Sequence, residues 1–169
     1  NNLYPQILEG KDKSDILLNL YRKTNGKSLI YAGTFSEIDN LRTLFSRNDI
    51  QYKKSELLDS FSKWLDDNYG RLWYLSDLVK KGIGIHHGKL HRSLSQIQIR
   101  LFEEEKNGLD TIISTSSIIE GVNTSAENVF VWRNKNGNKN LNDFTYKNII
   151  GRGGRMFKHF IGKIYVLDK

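Results

Sequence analysis

The sequence contains no cysteine, which excludes a disulfide framework and any metal site built on thiolates. A chain without cysteine fits a reducing compartment, and we expect a cytoplasmic protein. The sequence also has no apolar run long enough to cross a membrane and no recognisable signal peptide. We therefore predict no membrane partner.

A second absence concerns phosphate binding. No stretch has the form G-x-x-x-x-G-K-[ST]: Lys27-Ser28 follows Gly26, but no glycine stands five positions before Gly26. Without such a loop the chain has no phosphate cradle of its own. We expect no nucleotide hydrolysis by these residues alone. Because the first residue is not Met, we also expect a fragment of a longer protein.

The composition is that of a folded domain with a basic surface. The chain has 169 residues, of which 38% are hydrophobic and 27% are charged, enough for one domain with a sizeable core. The 26 basic and 19 acidic side chains leave a net charge of +7. This surplus favours phosphate backbones as partners, although many basic proteins bind no nucleic acid.

The apolar pattern predicts alternating strands and helices. Short continuous apolar runs predict strands at 28–32, 83–86, 110–115, 128–132 and 163–167. Uninterrupted rather than alternating hydrophobicity indicates strands buried on both faces. We therefore predict an α/β fold, a three-layer sandwich with a mostly parallel central sheet of five or more strands.

The segments between the strands carry more detailed expectations. Residues 1–13 are predicted to be a polar lead-in and residues 133–142 a polar loop, with a helix from about Asp143. Ser14 and Ser36 are expected to cap the first two helices. A third helix is expected to begin near Ser55.

Tryptophans could pack in the core or stack on nucleic-acid bases. Trp64 falls on an apolar stripe of the third predicted helix, and Trp132 ends a predicted strand. We expect both side chains to face the core and to take no part in base stacking.

Ligands of such sheets bind beyond the carboxyl ends of the strands, so the segments that follow the strands are the candidate binding sites. The most specific one contains Arg152 and Arg155, three apart among glycines. On a helix these guanidinium groups share a face and suit a polyphosphate. The alternative is a flexible surface turn that touches nucleic acid loosely.

The remaining segments are ambiguous when taken singly. Hydroxyls crowd residues 114–126, which fits either a phosphate site or a simple Ser/Thr turn. The stretch 32–36 fits either an anion site at a helix terminus or simple capping. His87 and His91 have metal-ligand spacing, but Gly88 replaces the glutamate of the zinc-protease pattern and no carboxylate completes a site. We predict no metal site in the chain.

Together, four stretches in order resemble the second RecA-like domain of superfamily 2 helicases, a P-loop NTPase-type fold. LIYAGTFSEID (29–39) resembles motif IV, and GIGIHHGKL (82–90) resembles the segment after the family's second strand. DTIISTSSIIEGVNTSAENVFVW (110–132) resembles motif V, and YKNIIGRGGR (146–155) resembles motif VI. The DExH group with the Ski-type helicases is nearest. The resemblance implies one domain over 1–169 with a helical insertion at about 48–82.

The resemblance also implies roles toward a nucleotide. Arg152 and Arg155 match the motif VI arginines that reach the ATP phosphates, and Arg155 matches the arginine finger. Gly121 and Asn123 match motif V positions near the nucleotide, although many relatives have Asp in place of Asn123. Asn148 replaces the usual Gln or His, so its contact is in doubt.

Toward nucleic acid, the resemblance implies contacts to the backbone of the strand rather than to base edges. The matching positions are Gly33, Thr34, His87, Gly88 and Thr115. The implied partner is single- or double-stranded nucleic acid, with DNA favoured over RNA.

The chain also lacks a DExH or DEAD run. ATP and Mg2+ would therefore be bound mainly by a missing first domain, an N-terminal RecA-like domain of the same parent chain. Two alternatives stay open. One is a non-catalytic nucleic-acid-binding or scaffold module that keeps the fold, and the other is a motor that remodels complexes without separating strands.

Overall fold

The computed structural model describes residues 2–5, 12–47, 50–115, 126–133, 135–136, 139–140 and 163–167. The strands are β1 (Asn2–Pro5), β2 (Ser28–Tyr31), β3 (Ile83–His86), β4 (Thr111–Ser114), β5 (Asn128–Val131), β6 (Lys135–Asn136), β7 (Lys139–Asn140) and β8 (Lys163–Val166). The helices are α1 (Lys13–Lys23), α2 (Phe35–Arg47), α3 (Glu56–Asn68), α4 (Trp73–Lys80) and α5 (Arg92–Glu103), with a short 3-10 helix at Gly70–Leu72.

Six of the strands form one sheet in the order β1-β8-β5-β2-β4-β3. Every neighbouring pair in this sheet is parallel. All residues of β2, β4 and β5 are buried. Because successive side chains of a strand point to opposite faces, this burial requires cover on both faces of the sheet. The predicted α/β fold with a parallel central sheet is confirmed.

The two predicted helix caps are wrong by two residues. The side chain of Asp12 accepts a hydrogen bond from the Ser14 amide (3.3 Å), so Asp12 caps α1. Thr34 Oγ1 accepts from the Glu37 amide (3.3 Å), and Ser36 already lies inside α2. The sequence offers several hydroxyl and carboxylate side chains at each site, and only the backbone decides which one stands just outside the first turn.

Two segments predicted to be irregular contain strands. Residues 2–5, within the predicted lead-in, form β1, which pairs with β8 from Asn2↔Lys163 to Pro5↔Val166. Within the predicted loop 133–142, β6 and β7 form a two-stranded antiparallel ladder. Both depend on backbone pairing with a partner strand rather than on a local apolar pattern, so the sequence carried little signal for them.

Helices α3 and α4 lie in the region predicted as a helical insertion. Helix α3 begins next to Ser55, as expected, and Ser55 caps it by accepting from the Leu58 amide (3.2 Å). The two helices pack against each other, and the buried hydroxyls of Ser62 and Ser76 are 2.7 Å apart across their contact. Helix α4 in turn packs against β3 and α2. That this pair is an addition to the family's common fold stays a prediction.

The expected environment is wrong for one tryptophan and right for the other. Trp64 is 40% exposed, because Leu58, Phe61 and Leu65 form the buried stripe of α3 and Trp64 lies beside it. Trp132 is buried, as expected. The predicted helix from about Asp143 lies outside the described residues. Among the helices that the structure describes, none is long and apolar enough to cross a membrane.

The contact between β5 and β8 provides a test of the sheet. Phe130 is fully buried and pairs with Tyr165, with ring centroids 4.9 Å apart and planes 14° apart. We expect Phe130→Ala to lower the free energy of unfolding by about 3–5 kcal/mol, because it removes a large core side chain. Trp73→Ala, at an exposed aromatic, should change it by no more than about 0.5 kcal/mol. Urea denaturation measures both; equal losses would contradict the sheet order.

Candidate functional site

The carboxyl ends of three adjacent strands, β2, β4 and β3, lie next to each other. Ser114 at the end of β4 is in register with Tyr31 of β2 and with His86 of β3. Beyond the strands, the Ala32 amide donates to the Ser114 carbonyl (2.7 Å), and the Thr115 amide donates to the His86 carbonyl (3.2 Å). The chain segments that leave these strands are therefore held side by side.

An open depression of about 370 Å3 lies at this edge of the sheet. All five positions assigned to nucleic acid in the sequence line it, together with two residues that were not predicted. The lining residues are Gly33, Thr34, Phe35, His87, Gly88, Lys89 and Thr115. Residues from three separate motif-like stretches thus surround one space.

Phe35 and Lys89 are the additions that the structure makes to the site. Both fall inside the quoted stretches, directly after Thr34 and Gly88. The sequence does contain a signal for both residues. One is an aromatic residue at the first position of a helix, and the other is a lysine in a histidine-glycine turn. The sequence alone could not show that Phe35 is 48% exposed instead of packed in the core.

Phe35, His87 and Lys89 form a cluster at the floor and rim of the depression. The rings of Phe35 and His87 are perpendicular, with centroids 4.8 Å apart. Lys89 Nζ lies 4.6 Å from the centroid of the Phe35 ring, within the range of a cation–π contact. The cluster presents one apolar surface and one positive charge to a ligand.

The two glycines at the site differ, because Gly33 is buried and Gly88 is exposed. Gly33 has φ +85°, the left-handed conformation that favours glycine, and it turns the chain from β2 into α2. A Cβ atom added at Gly88 would meet nothing within 4 Å. The amino end of α2, which follows Thr34, carries partial positive charge. These features suit an anionic ligand that approaches the main chain.

Both histidines at this edge are held in the neutral form. Burial lowers the pKa of His87. The neighbouring His86 and Lys89 side chains lower this pKa further by electrostatic repulsion. His87 Nδ1 accepts a hydrogen bond from the Lys89 amide (3.1 Å), which places its proton on Nε2. Burial also lowers the pKa of His86, whose Nδ1 is buried without a hydrogen-bond partner among the described residues. At neutral pH the cation of the depression is Lys89.

The first turn of α2 is also tied to the neighbouring strand β5. Trp132 Nε1 donates to Glu37 Oε2, and Arg133 Nη1 lies 3.6 Å from Glu37 Oε1. Lys13 Nζ sits over the Trp132 ring, 4.2 Å from its centroid. These contacts fix the start of α2, and with it Thr34 and Phe35, relative to the sheet.

A larger cavity, of about 500 Å3, lies at the opposite edge of the sheet and is lined by residues before β2 and β5, including Asn25 and Glu127. It is not the candidate site. Ligands of α/β sheets bind at the carboxyl ends of the strands, whereas these are amino ends. Lys27 lies at that edge too, buried and bonded to the carbonyls of Leu109 (2.7 Å) and Glu104. Its ammonium is a structural group.

The residues predicted to face a nucleotide lie elsewhere in the chain. Gly121, Asn123, Arg152 and Arg155, together with Asn148, all fall outside the described residues. The structure therefore carries information on the predicted nucleic-acid side alone. The histidines considered for a metal have local partners: His91 Nδ1 is 2.7 Å from Ser93 Oγ, and His87 bonds the Lys89 amide.

The fold is that of C-terminal domains of helicase-type ATPases. The C-terminal domain of the DEAD-box protein Dbp5 superposes with a TM-score of 0.61 at 20% identity, over 99% of this chain and 76% of that one. The C-terminal part of the Fun30 ATPase domain gives 0.57 at 18% identity, over 91% and 40%. The S. cerevisiae Dbp5 C-terminal domain bound to Gle1 and IP6 gives 0.55 at 22% identity, over 93% and 70%. At these identities the likeness shows the fold.

Sequence comparison finds two informative relatives. The chain is 41% identical over 106 residues to "Anti-bacteriophage protein B" of Escherichia coli (strain K12), covering 63% of this chain. It is 25% identical over 169 residues to an uncharacterized helicase of Dictyostelium discoideum, covering 98% of this chain. The chain spans 14% and 9% of the lengths of these two proteins. No protein-family profile matches it.

The neutral histidines predict a pH-dependent stability. The ordinary histidine pKa is 6.5, and burial lowers it for His86 and His87 in the folded chain. Above pH 6.5 the two histidines do not reduce the free energy of unfolding. As the pH falls through 6.5, the unfolded chain takes up protons first, and the free energy of unfolding decreases. Replacing both residues by Asn should reduce this decrease between pH 7.5 and 5.5, measured by urea denaturation. An unchanged decrease would refute buried neutral imidazoles.

Proposed function

We propose that this chain is the second motor domain of an ATP-dependent nucleic-acid helicase, and that the depression at the carboxyl ends of β2, β4 and β3 holds the backbone of a nucleic-acid strand. One observation carries this proposal. The five positions that the motifs assign to nucleic acid line a single depression, and a lysine joins them there. The helicase-type fold and the basic surplus of the chain support the same function.

The chemistry of the depression fits a phosphate backbone better than base edges. Gly88 leaves the main chain open, Thr34 and Thr115 bring hydroxyls, and Lys89 brings a full charge. Main-chain amides, hydroxyls and lysine are the groups that contact phosphate and sugar, which carry no sequence information. Such a grip suits a motor that moves along any sequence.

The proposed nucleotide side depends on two arginines. In the parent protein the missing first domain would bind ATP and Mg2+, and ATP hydrolysis would supply the free energy that reopens the cleft between the domains. Arg152 and Arg155 would reach across that cleft when the domains close, with Arg155 as the finger. Gly121 and Asn123 would border the same nucleotide. Closure would also bring Lys89 and Thr115 against the bound strand.

Several finer assignments belong to this proposal. The Ski-type branch and the preference for DNA over RNA rest on the sequence resemblance alone. A non-catalytic scaffold would need no arginine finger, and a remodelling motor would hydrolyse ATP without separating strands. The alternatives therefore differ in two measurable properties. One is whether ATP hydrolysis requires Arg155, and the other is whether the protein unwinds a duplex.

Lys89 provides the test of the strand-binding surface. We expect Lys89→Ala to weaken binding of a single-stranded 20-mer by roughly tenfold at low salt, because it removes a charge-assisted phosphate contact. The slope of log affinity against log salt should fall by about 0.7, the value for one phosphate of a single strand. Fluorescence anisotropy with oligo(dT) and oligo(U) measures both quantities and compares DNA with RNA.

The matched control is Lys63→Ala. Lys63 is exposed on α3, so this variant changes the net charge equally at a different surface. It should leave the salt slope unchanged. If the two variants weaken binding alike, the strand is held by the general basic charge of the chain and the depression is not its site.

Arg155 provides the test of the motor. In the parent protein, we expect nucleic acid to stimulate ATP hydrolysis and Arg155→Ala to reduce the stimulated rate by a factor of about 10³ or more, as for loss of an arginine finger. Nucleotide binding, measured separately, should persist, because the first domain supplies most of its contacts. A parent that binds nucleic acid but hydrolyses no ATP, or a silent Arg155→Ala, would establish the scaffold alternative.

The relative named "Anti-bacteriophage protein B" motivates a biological setting. The 41% identity over 106 residues supports the proposal that the parent protein acts in defence against bacteriophage. Cells that carry the parent should then reduce phage plating, and the Arg155→Ala variant should restore it. Equal plating with and without the wild-type parent would exclude this role and leave the motor proposal standing.

A further inference from the structure

Helices α3 and α4 carry aromatic side chains that the core does not use. Of the three tryptophans in the chain, Trp64 on α3 is 40% exposed and Trp73 at the start of α4 is 63% exposed. Leu57 on α3 is 42% exposed as well. Large apolar side chains grouped on a surface are a mark of interaction sites.

Two exposed apolar side chains of α3, Leu57 and Trp64, form a stripe. They stand at positions i and i+7, and the buried Phe61 stands between them at i+4, on the same side of the helix. The rings of Phe61 and Trp64 are stacked, with centroids 6.0 Å apart and planes 18° apart. Tyr69 packs on Trp64 from the helix end, at 5.6 Å. Because neighbouring rings already hold Trp64, binding there loses little side-chain freedom.

The charge around this stripe is opposite to that of the whole chain. Helix α3 exposes four carboxylates and one ammonium group: Glu56, Asp59, Asp66, Asp67 and Lys63. The chain as a whole carries +7. Within the part of the chain that the structure describes, none of the four carboxylates forms an ion pair.

Helix stability explains two of these carboxylates but not the other two. Glu56 and Asp59 lie in the first turn of α3, where acidic side chains are favourable. Asp66 and Asp67 lie in the last turn, which contains no basic residue. The carboxyl end of a helix carries partial negative charge, so acidic side chains there are unfavourable. The helix itself therefore does not account for Asp66 and Asp67.

We propose that this α3 surface, made of Leu57, Trp64 and the surrounding carboxylates, docks a basic amphipathic segment of a protein partner. Apolar side chains of the segment seat on the Leu57–Trp64 stripe, and its lysine or arginine side chains pair with Asp66 and Asp67. Trp64 is the anchor, as tryptophan commonly is at interfaces.

The charge argues against two other occupants. A nucleic-acid strand on α3 would bring phosphates against four carboxylates and one lysine, the reverse of a phosphate site. A symmetric contact with a second copy through α3 would place the same carboxylates opposite each other, because a two-fold interface uses the same patch twice. A basic segment relieves the repulsion among the carboxylates instead.

The test uses the 169-residue chain and two synthetic helical peptides of equal length, one of Leu and Lys and one of Leu and Glu. Tryptophan emission reports contact in the wild-type chain, since Trp64 and Trp73 are exposed and Trp132 is buried. Fluorescence anisotropy of a labelled peptide measures the affinity of each variant. We expect the Leu/Lys peptide to bind and the Leu/Glu peptide to leave the emission unchanged. Trp64→Ser should weaken binding about tenfold or more, the effect of losing an interface anchor.

A charge-reversal pair provides the matched comparison. Asp66→Lys with Asp67→Lys should weaken binding of the Leu/Lys peptide about tenfold. Glu104→Lys with Glu105→Lys makes the same change in net charge at exposed positions after α5, and it should weaken binding less than about twofold. Circular dichroism establishes that each variant is folded; if Trp64→Ser is not, the charge-reversal pair decides.

Three results would overturn the proposal. The first is equal binding of the two peptides, or equal losses in the two charge-reversal pairs. The second is self-association of the chain, measured by sedimentation, that Trp64→Ser abolishes; a second copy would then be the occupant. The third is quenching of tryptophan emission by oligo(dT) that Trp64→Ser abolishes, which would assign α3 to nucleic acid.

Discussion

The parallel register of β2, β4 and β3 is the constraint on which the candidate site depends. In a parallel sheet every strand ends at the same edge, so segments far apart in sequence leave the sheet side by side. Here Tyr31, Ser114 and His86 are in register, and the hydrogen bonds just beyond them extend the pairing. If one strand were shifted by one residue, Thr34, His87 and Thr115 would no longer lie together, and the depression would be lost.

The site itself contains few charged groups, and this fits its proposed role. Burial keeps the histidines neutral, Gly88 leaves the main chain open, and Lys89 brings a single charge whose position is set partly by the Phe35 ring. Contacts to a phosphate backbone need donors at fixed spacing more than they need many charges. The ties from Glu37 to Trp132 and Arg133 keep the first turn of α2 in place, so those donors stand on a rigid support.

Two surfaces of opposite character coexist on the domain. The depression at the sheet edge combines a glycine-containing turn with a lysine, whereas α3 combines the exposed Trp64 ring with carboxylates. Helix α4 packs against α3 and also against β3 and α2, two of the elements next to the depression.

Continuous apolar runs in the sequence predicted β2, β3, β4, β5 and β8, because strands buried on both faces need apolar side chains at every position. The order of the motifs singled out Gly33, Thr34, His87, Gly88 and Thr115.

Other features arise from the folded chain alone. The pairing of β1 with β8 leaves no local pattern, and the backbone selects Thr34 over Ser36 as a cap. The fold also brings Phe35 and Lys89 into the site and leaves Trp64 facing solvent, because exposure depends on which neighbours the folded chain provides.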